Sequence, residues 1–217
     1  RKSTRMGFKE ILEALADGAK QSLSVMAACA VVGIIIGVVS LTSFGSVMTS
    51  SIMSIGAGSL FLTLFFTMIA SMILGMGLPS IPAYIITATM AAPALANFDI
   101  RTLVAHMFVF YFGLFANITP PVALAAFAGA GIAGGDPMRT GFQALKLSLA
   151  GFIVPFLFVY NPAMLMIDTA NVAVNAREFA FPAWTTIVSI VFTSVVGILA
   201  LGAAVEGYFK VGLNWFW

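Results

Sequence analysis

The chain has 217 residues, of which 61% are hydrophobic and only 8% charged, and a formal net charge of +2. Soluble globular domains carry about a quarter charged residues, so a mean hydropathy of +1.07 excludes an ordinary soluble domain, and the near-neutral balance gives no electrostatic footprint for a nucleic-acid partner. What fits is an all-α integral membrane protein, its charges gathered in short clusters between uncharged stretches long enough to cross a hydrocarbon core of about 20 residues.

The opening "RKSTRMGFKEILEALADGAKQ" does not begin with methionine, so a fragment or a processed product is expected. It lacks a short apolar region followed by a small-residue cleavage site, the mark of a secretory signal. Phe8, Ile11, Leu12, Leu15 and Ala19 fall at helical spacing with charges opposite, which predicts an amphipathic helix over 1–20 lying on the membrane surface. Residues 21–41 then read as a first span, and the polar "TSFGSVMTSSIMS" as its exit loop, within a segment 21–56. Cys29 lies in that apolar run and reads as a small hydrophobe.

Segment 57–98 holds an apolar helix over 58–74, the interruption "GMGLPS", and a second helix over 81–96. Arms of about 16 to 17 residues reach roughly 25 Å, short of a hydrocarbon thickness of about 30 Å. Two full spans with a tight turn, or a re-entrant hairpin turning back inside the membrane, would have the same parity. Residues 21–98 contain no Asp, Glu, Lys, Arg or His, whereas short loops emerging into water normally carry some. The apex, broken at Gly77 and Pro79, is therefore expected at membrane depth, where irregular backbone is tolerated if protein covers it.

Segment 102–135 carries its own interruption at Asn117 to Pro121, with halves that cross the membrane only together, as one discontinuous helix. Pro120 and Pro121 lack amide donors, so carbonyls one turn earlier lose their helical partners. In "AGGDPMRTG", Gly134 and Gly135 end one helix, Asp136 caps the next and Pro137 starts it, which makes Asp136 and Arg139 turn residues. Further transmembrane helices fill 136–217, with spans over 147–167 and 182–205. A cytoplasmic basic start places the hairpin mouth outside, Arg139 and Lys146 inside, the 168–181 loop with Arg177 outside, and Lys210 inside.

A re-entrant hairpin and a broken helix in one chain are the signature of a secondary transporter, whose sites lie between interrupted helices near the midplane. Half-helix N-termini offer amides to an anion and freed carbonyls offer oxygens to a small cation. The breaks contain no carboxylate, which favours sodium over protons. No metal-ligand cluster, phosphate loop or nucleophile with its base is visible, so an enzyme is not indicated. His106, alone among Phe, Val and Met, reads as packed or near the interface rather than as a proton relay. "YNPA" at 160–163 is similar to a water-channel motif, but a channel of that kind needs two.

"LGMGLPS" and "ITPPVALAAFAGAGIAG", about forty residues apart, together resemble the C-terminal half of the large membrane (permease) subunit of tripartite ATP-independent periplasmic (TRAP) transporters, over most of 23–204. "FVYNPAML" resembles the TAXI-type branch, in which large and small membrane subunits are often fused. The resemblance implies one half of an inverted-repeat, elevator-type transporter, with an upstream half outside this sequence. It implies import, across the bacterial inner membrane, of a small carboxylate delivered by a TAXI-type periplasmic solute-binding protein. Partners would be that protein, a small membrane subunit fused upstream and the lipid bilayer. It implies no cofactor apart from sodium as coupling ion, held by backbone carbonyls or a hydroxyl at Gly75, Ala116, Thr119 and Val122. Polar groups costly to bury unpaired make Ser80, Asn117 and Thr119 candidates for substrate contact, or else caps of the half-helices. A purely structural membrane subunit, or an ion-coupled carboxylate transporter working without a binding protein, is the alternative.

Overall fold

The computed structural model describes residues 7–167, 181–209 and 211–212. The basic residues Arg1, Lys2 and Arg5, residues 168–180 with Arg177, and Lys210 lie outside them. The described chain is helical apart from one antiparallel pair, β1 (Tyr208–Phe209) with β2 (Val211–Gly212). Among the described residues, two helices are long and apolar enough to cross a membrane, or up to four segments if each of two bent pairs is one span.

Helix α1 (Phe8–Thr42) runs unbroken for 35 residues. The surface helix expected over 1–20 and the first span are therefore one helix where the chain is described, with no boundary at Lys20. Gly18 lies inside it without ending it, because one glycine costs a helix only about 1 kcal/mol. At Ser43, whose φ is 55°, the chain bends by 74° into α2 (Phe44–Gly56). The stretch expected as an exit loop is thus helical. Its hydroxyls turn back on the helix: Ser46 Oγ donates to the Ser43 carbonyl at 2.7 Å and Ser50 Oγ to the Ser46 carbonyl at 2.9 Å. Polar side chains satisfied in this way need no water, so they do not force a loop.

α3 (Leu60–Gly75) and α4 (Ser80–Met90) form the two arms of a helical hairpin. The second arm is shorter than expected, since at Ala91 it bends by 45° into a 3-10 segment, Ala92–Phe98, with Pro93 in its first turn. α5 (Thr102–Phe115) is the centre of the core. Its Phe108 and Phe112 are fully buried with Leu64 of α3 and Leu95, and Phe108 meets Phe156 edge-on at 5.4 Å. Such edge-to-face pairs align a ring's positive rim with its neighbour's negative face.

After a break comes α6 (Leu124–Ala133), ended by Gly134 at φ 68°. Asp136 then caps α7 (Pro137–Phe152) by accepting the Arg139 amide at 2.7 Å, with Pro137 in the first turn, as the sequence predicts. α8 (Val154–Tyr160) continues α7 into a 24-residue apolar stretch, Pro137–Tyr160. The span expected over 147–167 is therefore displaced toward the cap, and Pro162–Leu165 is a 3-10 turn. Lys146, partway along α7, pairs with Glu206 at 3.6 Å. That pair ties α7 to the end of α9 (Trp184–Glu206), none of whose residues is buried.

Candidate functional site where the two breaks meet

The hairpin apex is a tight turn with a defined cause. Met76 has φ −58° and ψ 127°, Gly77 has φ +74°, and the Leu78 amide donates to the Gly75 carbonyl at 3.3 Å. This is a type II turn, whose third position needs positive φ and so favours glycine. Pro79 follows in an extended conformation and its carbonyl accepts the Ala83 amide at 3.0 Å, starting α4. No side chain caps this start, and Pro82 in the first turn contributes no amide. The amides of Ser80 and Ile81 thus form an uncapped positive helix end.

The break in the long helix is equally specific. The Asn117 and Ile118 amides tighten onto the Leu114 and Phe115 carbonyls at 3.0 and 3.1 Å, a cis bond joins Pro120 to Pro121, and Ala123 has φ 34°. Pro120 and Pro121 cannot donate to the carbonyls of Ala116 and Asn117, their helical partners. The two carbonyls meet different fates. That of Asn117 accepts the Ala125 amide at 3.0 Å, whereas that of Ala116, like that of Val122, accepts no backbone hydrogen bond among the described residues.

The breaks lie side by side. A Cβ on Gly75 would stand 2.6 Å from the carbonyl oxygen of Gly113 and 2.9 Å from its Cα, so the ends of α3 and α5 touch backbone to backbone. A Cβ on Gly77 would lie 3.7 Å from Val122 Cγ1. The negative ends of α3 and α5 therefore meet, and the segment leading into α6 runs beside the hairpin apex. The charged residues nearest in sequence to the broken helix on its N-terminal side, Asp99 and Arg101, precede the far end of α5, about 20 Å away along its axis. On that side the break presents backbone dipoles and neutral oxygens, while from α7 Gly141, two residues after Arg139, packs against Pro120 and Ala123.

Of the residues singled out from the sequence, Gly75, Ala116 and Thr119 are buried and Val122, Asn117 and Pro120 half-buried; Ser80, Gly77, Pro79 and Pro121 are exposed. All belong to the two adjoining breaks. The Gly75 and Thr119 carbonyls already accept the Leu78 and Ala123 amides, at 3.3 and 3.2 Å, with one lone pair each to spare. Thr119 Oγ1 donates to the Phe115 carbonyl at 2.8 Å, so its proton is committed and its lone pairs are not. The Asn117 side-chain amide pairs with no protein group among the described residues. Gly113 is the residue that sequence reasoning missed; its signal was a glycine alone in the aromatic run "FYFGLF". His106 is packed as expected, its Nδ1 2.9 Å from Tyr84 Oη, and no group of three or more His, Cys, Asp or Glu able to hold a metal occurs among the described residues.

A protein-family model described as "Tripartite ATP-independent periplasmic transporter, DctM component" matches residues 2–172. No curated protein and no solved structure matches the chain.

Proposed function

We propose that this chain, which belongs to the DctM component family of TRAP transporters, imports a small carboxylate by coupling it to sodium at the junction of its two helix breaks. It is a multi-pass permease component of the bacterial inner membrane and not an enzyme. The observation that carries the reading is the contact of the hairpin apex with the broken helix, Gly75 on Gly113 and Gly77 beside Val122. Carbonyl oxygens of Ala116 and Val122, supported by Gly75 and Thr119, suit a hard monovalent cation. The uncapped amides at Ser80 and Ile81, with the free Asn117 amide, suit a carboxylate.

A periplasmic solute-binding protein delivers the substrate and a small membrane subunit completes the complex; "FVYNPAML" supports the TAXI-type branch, with that subunit fused upstream. One hairpin and one broken helix in this sequence support its being the C-terminal half of an inverted-repeat, elevator-type permease. Uptake by the reconstituted assembly should require both sodium and the binding protein, and Thr119→Val should raise the sodium concentration giving half-maximal uptake. Full uptake in sodium-free buffer driven by a proton gradient would overturn the ionic part. Uptake without the binding protein would instead favour an autonomous carboxylate carrier.

A further inference from the structure

We infer that the cleft between α9 and the α7–α8 stretch binds one phospholipid whose head group carries a primary ammonium. Ala150, Ile153 and Leu157 form one wall of this cleft of about 450 Å³, and Gly197, Ile198 and Leu201 form the other. Thr193 and Ser194 also line it, but their hydroxyls are already committed. Thr193 Oγ1 donates to the Ser189 carbonyl at 2.9 Å and Ser194 Oγ to Met164 Sδ at 3.6 Å. The walls therefore offer an occupant little but carbon, which suits an acyl chain.

The end of the cleft identifies the head group. The Lys146–Glu206 ion pair joins the same two walls. Lys146 stands one turn before Ala150, and Glu206 is the last residue of α9, a helix long and apolar enough to cross the membrane. The pair thus stands where head groups lie. From Lys146 to Leu157 is about 16 Å at 1.5 Å per residue, which is about half of a hydrocarbon core of about 30 Å, the depth of one leaflet. Both side chains of the pair stay open, at 43% and 38% exposure, so the ammonium of Lys146 keeps donors and the carboxylate of Glu206 keeps acceptor sites. A phosphate answers the lysine, and an ammonium N–H answers the glutamate. Phosphatidylethanolamine supplies both. Phosphatidylglycerol offers Glu206 no cation, and the trimethylated ammonium of phosphatidylcholine has no N–H to donate. The inference does not depend on which ion or solute the helix breaks bind.

Native mass spectrometry of the purified full chain, titrated with these three lipids carrying identical acyl chains, tests it. One phosphatidylethanolamine should bind at least about tenfold more tightly than either other lipid, the effect of one charge-assisted hydrogen bond. Glu206→Ala should erase its preference over phosphatidylcholine, and Lys146→Gln should weaken it. At Gly197 and at Gly202 an added Cβ meets nothing within 4 Å, but only Gly197 lines the cleft. Gly197→Leu should therefore abolish the tight site and Gly202→Leu keep it. Equal affinity for the three lipids, or binding indifferent to Gly197→Leu, would reduce the occupant to ordinary boundary lipid and overturn the inference. So would a structure of the assembled permease with a protein helix seated in the cleft. Should Gly197→Leu fail to fold, the selectivity of the native protein decides.

Discussion

Two glycines of the site have opposite tolerances. At Gly75 an added Cβ meets the backbone of Gly113, which cannot rotate away, whereas at Gly113 it meets Thr87 Cγ2 at 3.5 Å, an ordinary contact. Gly75→Ala should therefore push α3 from α5, at an overpacking cost of about 1–3 kcal/mol, and lower uptake. Gly113→Ala should melt at or slightly above the native temperature, because alanine is the better helix former. Thermal unfolding and uptake of the two variants check this, and equal losses at both positions would show that the asymmetric contact is not what matters. The sequence announced Gly75 and Gly77 by an interrupted apolar helix. It could not announce Gly113, because a glycine within a continuous helix acquires its role only from the neighbour that approaches it. It also exposed the orphaned Ala116 carbonyl, which follows from Pro120 alone, but not the rescue of the Asn117 carbonyl by Ala125, which depends on the path of the chain between Pro121 and Ala125.

At the scale of elements, apolar runs, glycines and prolines located the hairpin, the broken helix and the α6–α7 turn, since each is fixed by residues within a few positions of it. The stretch 42–54 was misjudged because a composition of serine and threonine does not reveal whether the hydroxyls face water or the preceding helical turn. Its helical state is directly testable. Ser50 is exposed and lies in the middle of α2, so Ser50→Pro changes little packing but removes an amide donor and clashes with the carbonyl one turn back. In a helix that costs about 3 kcal/mol, and a loop would accept it almost freely. We expect a drop in melting temperature of about 6–12 °C; an unchanged value would return the stretch to the loop expected from its composition. The boundaries of the later spans escaped the sequence for a different reason. α7 enters from a polar cap, and its exposed face keeps Lys146 paired with Glu206, so the charge that seemed to mark a membrane edge lies partway along a helix.

For the whole molecule, the way the chain crosses the membrane follows from how its short helices add up. α5 and α6, of 14 and 10 residues, reach about 21 and 15 Å at 1.5 Å per residue, so neither is long enough to cross a hydrocarbon core of about 30 Å alone, whereas their summed length is. The hairpin returns to the face it entered from, so Ala96 at the end of its second arm and Arg139 at the start of α7 should lie on opposite faces. The bias of basic residues toward the cytoplasm predicts that the α7 end, with Arg139 and Lys146, faces that side. Single cysteines at Ala96 and Arg139, both exposed positions, in a Cys29→Ala background, make this measurable with a membrane-impermeant maleimide on intact and on opened cells. Ala96→Cys should react in intact cells once the outer membrane is permeabilised, and Arg139→Cys only after the inner membrane is opened. Reaction of both from one side would mean that α5 and α6 form a second hairpin. The Thr-Pro-Pro turn would then be a surface loop, and the contact of the hairpin apex with the broken helix, on which the coupling proposal rests, would lose its setting.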